Sequence, residues 1–236
     1  MSQPKIRQLP ITDLARIAVQ HPEERRHALK QVKGGGFGPN YNPTRAEFPG
    51  IVNRQPGVFE STRDSWRTVG NNIVSRSKSI REAKMNLRVA RSLYEFCVAE
   101  NIKALELDGF PLSFAVGPKL SAWSPALFIY EGKITVPFLD LRQSKSLTFG
   151  AQKFIFSLQH YALRENNPDY SDVEFQIIKF EKGRRRLIRV IDEGSRRLFS
   201  YEELERMISE TQLLWFEVLA GREEDRRRAG GSGSLL

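Results

Sequence analysis

The stretch "VPFLDLRQSKSLTFGAQKFIFSLQHYALREN", which runs from Val136 to Asn166, decides the fold. Its first part is an apolar run that ends at Asp140, and such a run predicts a strand. Thr148 then supplies a helix N-cap, and the apolar residues after it recur at spacings of three and four, as on one helix face. A strand followed by an amphipathic helix predicts an α/β (α+β) fold built around a sheet.

The segments on both sides of this stretch extend the pattern. Upstream, "SIRE" at Ser79 is a capping box that begins a long helix, and the apolar runs "LSFAVG", "PALFIYEG" and "KITVPFLDLR" predict three strands. Downstream, "VEFQIIKF" and "RRLIRVI" flank "EKGR" and predict a hairpin, and "SYEE" at Ser200 begins a final helix. The predicted fold is a central mixed β-sheet flanked by helices.

The N-terminal third of the chain has a different composition. Residues 1–33 hold two predicted helices, the second of which begins at Pro22. Residues 34–78 are rich in Gly, Pro and Asn and predict an irregular connector, in which "GGGFG" lacks the lysine and hydroxyl of a phosphate loop and favours a hinge. Residues 79–220 are predicted to form a core that folds alone, and residues 221–236 a disordered tail.

Composition limits the classes of protein and the partners. The chain has 236 residues, a formal net charge of +9 and a sequence pI of about 9.8. This surplus of positive charge favours polyanionic partners, with DNA or RNA first. No apolar run is long enough to cross a membrane, no secretory signal is visible, and the single Cys97 cannot form an internal disulfide. These features predict a cytoplasmic protein with no membrane partner.

The predicted order is helix, three strands, helix, two strands and helix, with Asp140 at the end of the third strand. This order, together with Gln159 and Tyr161 on the following helix, resembles the PD-(D/E)XK nuclease superfamily, and its RecB-type branch most closely. The resemblance covers Ser79 to Val218 and implies a restriction-endonuclease-like core. In that family, acidic residues on the first helix and on two strands hold a divalent metal that activates water for phosphodiester cleavage.

The resemblance also implies a set of site residues. Glu95 matches the acid of the first helix, and with Asp140 it would bind Mg²⁺ or Mn²⁺ through carboxylate oxygens. Arg142 replaces the motif lysine, and Ala126 stands where the second-strand Asp belongs. An arginine cannot act as a base, so this degenerate motif predicts weak or absent catalysis. The implied catalytic set is Asp140, Glu95, Arg142, Lys145, Gln159 and Tyr161.

Simpler interpretations of the same residues remain open. Asp140 and Arg142 fit a surface ion pair at a strand end, and Tyr161 fits the buried side of an ordinary helix. The predicted hairpin and the residues after it concentrate positive charge, which fits either a phosphate backbone or a solvated face. The predicted nucleic-acid-binding residues are Lys182, Arg184, Arg185, Arg186, Arg189, Arg196 and Arg197. A second basic group, Arg81, Lys84, Arg88 and Arg91, recurs at helical spacing.

The sequence favours a nucleic-acid-binding protein with a degenerate nuclease-like core. Any cleavage would be metal-dependent. The alternative class is a non-catalytic interaction subunit that docks on a partner protein through its N-terminal helices and connector.

Overall fold

The computed structural model describes residues 8–32, 40–54, 63–107, 109–120, 126–142, 146–181, 183 and 186–231. The side chains of residues 130 and 229–231 are not described. Within these residues the helices are α1 (Ile11–Ala18), α2 (Pro22–Gln31), α3 (Asn42–Ala46), α4 (Phe48–Val52), α5 (Trp66–Arg76), α6 (Ile80–Ala99), α7 (Phe149–Gln159) and α8 (Tyr201–Gly231). The strands are β1 (Lys103–Glu106), β2 (Ala126–Tyr130), β3 (Lys133–Asp140), β4 (Glu174–Phe180) and β5 (Ile188–Asp192).

The strands form one five-stranded sheet in the order β1-β2-β3-β4-β5. The β3 and β4 strands are parallel, with Val136 opposite Phe175, and every other neighbouring pair is antiparallel. Helix α7 lies in the connection between β3 and β4, as a parallel pair requires. The predicted mixed sheet with flanking helices is therefore confirmed.

Alternate residues of the strands face two different hydrophobic clusters. Val136 and Phe138 of β3 belong to a cluster with residues of α1, α2, α7 and α8. Leu139 belongs to a second cluster with residues of α4, α5 and α6, and Leu141, just after the strand, continues it. The sheet is therefore covered by helices on both faces, and residues before position 79 contribute to both clusters.

Three details differ from the sequence predictions. "LSFAVG" forms no strand and contributes only an isolated bridge between Leu112 and Leu120, while the first strand is β1. The stretch expected to be an irregular connector carries α3, α4 and α5, and α8 continues to Gly231 where a disordered tail was expected. "GGGFG" lies outside the described residues, and the division into domains stays a prediction. None of the described helices is long and apolar enough to span a membrane.

Side-chain hydrogen bonds join the N-terminal helix α2 to the long last helix, α8. Pro22 occupies the first turn of α2, as predicted. Arg25 of α2 donates to the carboxylate of Glu210 on α8 at 2.5 Å, and Arg26 donates to Glu217 at 2.6 Å. Arg222 of α8 donates to the carbonyls of residues 29, 30 and 32, where α2 ends. These contacts hold α2 on α8 and position α1 beside the end of β3.

Candidate functional site

The Asp140 side chain stabilises the loop that follows β3. Its carboxylate is buried and accepts the backbone N–H of Leu147 at 2.9 Å and that of Arg142 at 3.4 Å. A buried carboxylate needs such donors because it has lost its hydration. Asp140 shares the sheet face of Val136 and Phe138, which α1 and α7 cover. Asp140 therefore has a structural role, because its carboxylate binds backbone N–H groups of the loop after β3.

Glu95 and Ala126 lie on the other side of the sheet. Glu95 is exposed on α6 and forms an ion pair with Arg91 at 2.5 Å, and α6 packs in the cluster that also contains Ala126. The structure therefore does not bring Glu95 and Asp140 together around one ion. Among the residues that the structure describes, no group of three or more His, Cys, Asp or Glu side chains could hold a metal.

Gln159 and Tyr161 also point to different partners. The buried Gln159 donates from Nε2 to the carbonyl of Val136 at 3.3 Å, while its Oε1 meets no hydrogen-bond donor in the described part of the chain. Tyr161 lies in a π-helical turn, His160–Arg164, and donates to the carbonyl of Phe199 at 3.4 Å. Burial, followed by the charge of Glu202, raises the pKa of Tyr161. Lys145 lies outside the described residues.

The described members of the predicted basic set do not share one exposed surface. Arg186 is buried and donates to the Tyr41 hydroxyl and to the carbonyls of residues 141, 142 and 180. Arg196 donates to the carbonyls of residues 192 and 193 and stacks on Phe149 and Phe156. Arg189 and Arg197 are exposed. Lys182, Arg184 and Arg185 lie outside the described residues.

Arg142 binds a carboxylate that no sequence pattern predicted. Its guanidinium donates to both oxygens of Asp13 on α1, at 2.5 and 2.8 Å. Burial lowers the pKa of Arg142, but the hydrogen bond and charge of Asp13, together with Asp140 and Tyr41, outweigh burial, so the pKa is raised overall. Arg16 also pairs with Asp13 at 3.4 Å. Partial burial, followed by the charge of Arg142, lowers the pKa of Arg45.

The ion pair between Arg142 and Asp13 lines a groove beside α1 and α2. The groove has a cavity volume of about 980 Å³. We call it the α1–α2 groove, and its lining includes Asp13, Ile17, His27, Gln31, Tyr41 and Trp215. Its lining combines apolar and polar side chains, as is usual for a site that takes a ligand or the side chains of a partner.

A second hollow, of about 550 Å³, lies beside the first residues of β3 and β4. Its main charges are already paired, since Lys133 binds Glu174 at 2.9 Å and Arg164 binds Glu193 at 2.8 Å. The α1–α2 groove is larger and combines exposed polar side chains with buried apolar ones, so it is the stronger candidate.

The fold and the groove define an α+β protein with a candidate contact site built mainly by helices near the N-terminus. The chain belongs to the SocB family: residues 12–225 match the family model described as "Sliding clamp-binding bacterial toxin SocB". A similar protein is "DNA replication inhibitor toxin SocB" of Caulobacter vibrioides (strain NA1000 / CB15N), with 34% identity over 232 residues and 98% of each chain covered. No solved structure matches the chain.

Membership of this family corrects the nuclease resemblance. The family match covers the whole segment on which the PD-(D/E)XK resemblance rested, and its description concerns binding to the sliding clamp rather than cleavage. The predictions of a nuclease-like core and of a nucleic-acid-binding function are therefore wrong. The expected Mg²⁺ or Mn²⁺ stays a prediction. The alternative prediction, an interaction protein that docks on a protein partner, fits the family better.

Proposed function

We propose that this chain is a toxin that inhibits DNA replication by binding the sliding clamp. The observation that carries the proposal is the similarity along the full length to the Caulobacter vibrioides toxin, with 98% of each chain aligned. The cytoplasm, where bacterial chromosomes are copied, is then its place of action.

The α1–α2 groove is the contact site that we assign to this function. It is formed mainly by the N-terminal helices, and Tyr41, Met85, Arg142 and Trp215 complete its lining. Its exposed wall includes His27 and Gln31, whose side chains lie 2.7 Å apart. A concave surface lined by buried apolar and exposed polar side chains suits a protruding segment of a protein partner.

The direct test mixes the purified chain with the sliding clamp encoded by the same genome. Binding is measured by surface plasmon resonance, and DNA synthesis is followed on a primed single-stranded circle with and without the clamp. The toxin should reduce only the clamp-dependent synthesis, and added clamp should restore it. Equal inhibition of synthesis without the clamp, or no binding, would refute the proposal.

A pair of variants tests the groove. His27→Ala with Gln31→Ala removes two exposed side chains of the groove wall and should weaken clamp binding about ten-fold. Lys30→Ala is the control, because Lys30 is exposed on the same helix but is not part of the groove lining. A double variant that binds as tightly as the control would place the contact elsewhere on the chain.

A further inference from the structure

The exposed side of α5 and α6 carries an excess of positive charge. From the start of α5 to the end of α6, residues 66–99, the chain has seven basic residues and two acidic residues, Glu82 and Glu95. The Glu82 carboxylate is buried and accepts the backbone N–H groups of Asn40 and Lys78, at 3.0 and 2.7 Å. It is therefore turned inward and does not balance the charge that this surface presents to solvent.

Three of the cations form an exposed row along α6. Arg81, Lys84 and Arg88 recur at spacings of three and four, which places them on one side of the helix. Within the described part of the chain none of the three forms an ion pair, whereas Arg91 binds Glu95. Unpaired charges on a rigid helix create a local positive potential that attracts an acidic partner. We call this row the α6 basic face.

Exposed apolar side chains accompany these charges. Ile80 is 76% exposed at the start of α6, and Val74 of α5 is 50% exposed. Met85 lies between Lys84 and Arg88 in sequence and lines the α1–α2 groove. The α6 basic face therefore borders the groove, and the two surfaces can meet one partner. Apolar and charged side chains together are typical of protein–protein interfaces.

We propose that the α6 basic face binds an acidic surface of the sliding clamp next to the segment held in the α1–α2 groove. This inference rests on the proposed function and names the chemistry of the partner surface. A protein partner fits better than a nucleic acid because the family is described by a protein partner and because Ile80 and Val74 need apolar contacts. Charges at the rim of an interface mainly accelerate association.

The test uses two charge-reversed forms of the full chain. In the first, Arg81→Glu, Lys84→Glu and Arg88→Glu remove the α6 basic face; in the control, Arg189→Glu, Arg197→Glu and Arg206→Glu reverse three exposed arginines elsewhere. Each triple lowers the formal net charge from +9 to +3, because every reversal changes it by two. Association and dissociation rates with the clamp are measured at low and at moderate salt, with circular dichroism as the check on folding.

The α6 triple should associate with the clamp about ten-fold more slowly at low salt, and the control triple less than about three-fold more slowly. Equal losses in both triples would overturn the inference, because net charge alone would explain them. Unchanged association in the α6 triple would overturn it while leaving the proposed function in place. Absence of clamp binding by the unaltered chain would refute both this inference and the proposed function. Loss of duplex DNA binding with clamp binding intact would assign the face to nucleic acid and overturn the inference.

Discussion

Arg186 shows how a charge that suggests a binding surface can hold the fold together instead. Its guanidinium is buried and donates to the carbonyls of Leu141, Arg142 and Phe180 and to the hydroxyl of Tyr41. These acceptors replace the hydration that the charge has lost. The bonds tie the ends of β3 and β4 to a residue of the α1–α2 groove.

Arg186→Ala should therefore destabilise the protein strongly. The substitution leaves buried carbonyls without their charged donor, and we expect the free energy of unfolding to fall by about 3 kcal/mol. Arg189→Ala is the matched control on the same hairpin; its side chain is exposed, so its effect should stay below about 0.5 kcal/mol. Urea denaturation measures both. Similar effects of the two substitutions would mean that the buried network contributes little.

Glu82 should make stability depend on acid. Backbone N–H groups of Asn40 and Lys78 donate to its carboxylate and lower its pKa below the usual value of 4.5. A lowered pKa means that the stabilisation is present above the pKa of the unfolded chain and is lost as the pH falls through the pKa of the folded state. Glu82→Gln should therefore be less stable than the unaltered chain at pH 7, and the difference should shrink in acid.

Urea denaturation from neutral to acidic pH measures the effect of Glu82→Gln. Glu100→Gln, which alters an exposed carboxylate after the end of α6, should change the stability at pH 7 by less than about 0.5 kcal/mol. A gap between Glu82→Gln and the unaltered chain that stays constant on acidification would contradict this explanation of the lowered pKa.

At the scale of elements, local signals were predictable and distant partners were not. Thr148 accepts the backbone N–H of Ala151, and Ser200 and Glu203 form the reciprocal capping box that their spacing predicted. The bond from Arg142 to Asp13 joins positions far apart in sequence, and no pattern in one sequence indicates it. The continuation of α8 was missed for the same reason, since its support comes from α2.

Arg222 is the residue through which α8 supports α2. It donates to the carbonyls of Leu29, Lys30 and Val32 and stacks on Trp215. Arg222→Ala should lower the free energy of unfolding by about 1–2 kcal/mol and speed hydrogen exchange in the last turn of α2. The control Arg226→Ala alters an exposed arginine one turn further along and should do neither. Unchanged exchange in α2 would show that the contact is dispensable.

At the scale of the whole molecule, the element order predicted the fold class but could not place the site. Alternation along β3 tells which residues share a face with Asp140, but it does not tell which helices cover that face. The nuclease resemblance needed Glu95 and Asp140 on one side of the sheet, and the structure has them on opposite sides. A family of similar element order was therefore an insufficient guide to function.

The proposed independence of residues 79–220 can be tested by truncation. Leu14, Ile17 and Leu29 are fully or almost fully buried in the cluster on one face of the sheet, and Ile51 and Ile73 are fully buried in the cluster on the other. Their loss removes apolar contacts from both faces, and each large buried side chain contributes about 2 kcal/mol or more. We therefore expect a chain of residues 75–220 to unfold without a cooperative transition and to bind a dye for exposed apolar surface.

A chain that begins at Gln8 is the control for this truncation. It keeps every residue of the two described clusters and should unfold cooperatively, because Leu9 is the first residue that contributes to them. Circular dichroism during urea denaturation compares the two chains. The steepness of the transition is informative, since it scales with the surface exposed on unfolding. A steep transition in the 75–220 chain would establish it as a domain and would reduce the N-terminal helices to an appended docking element. A shallow one would make those helices part of the core, so that the surface assigned to the clamp would be built by the folding unit itself.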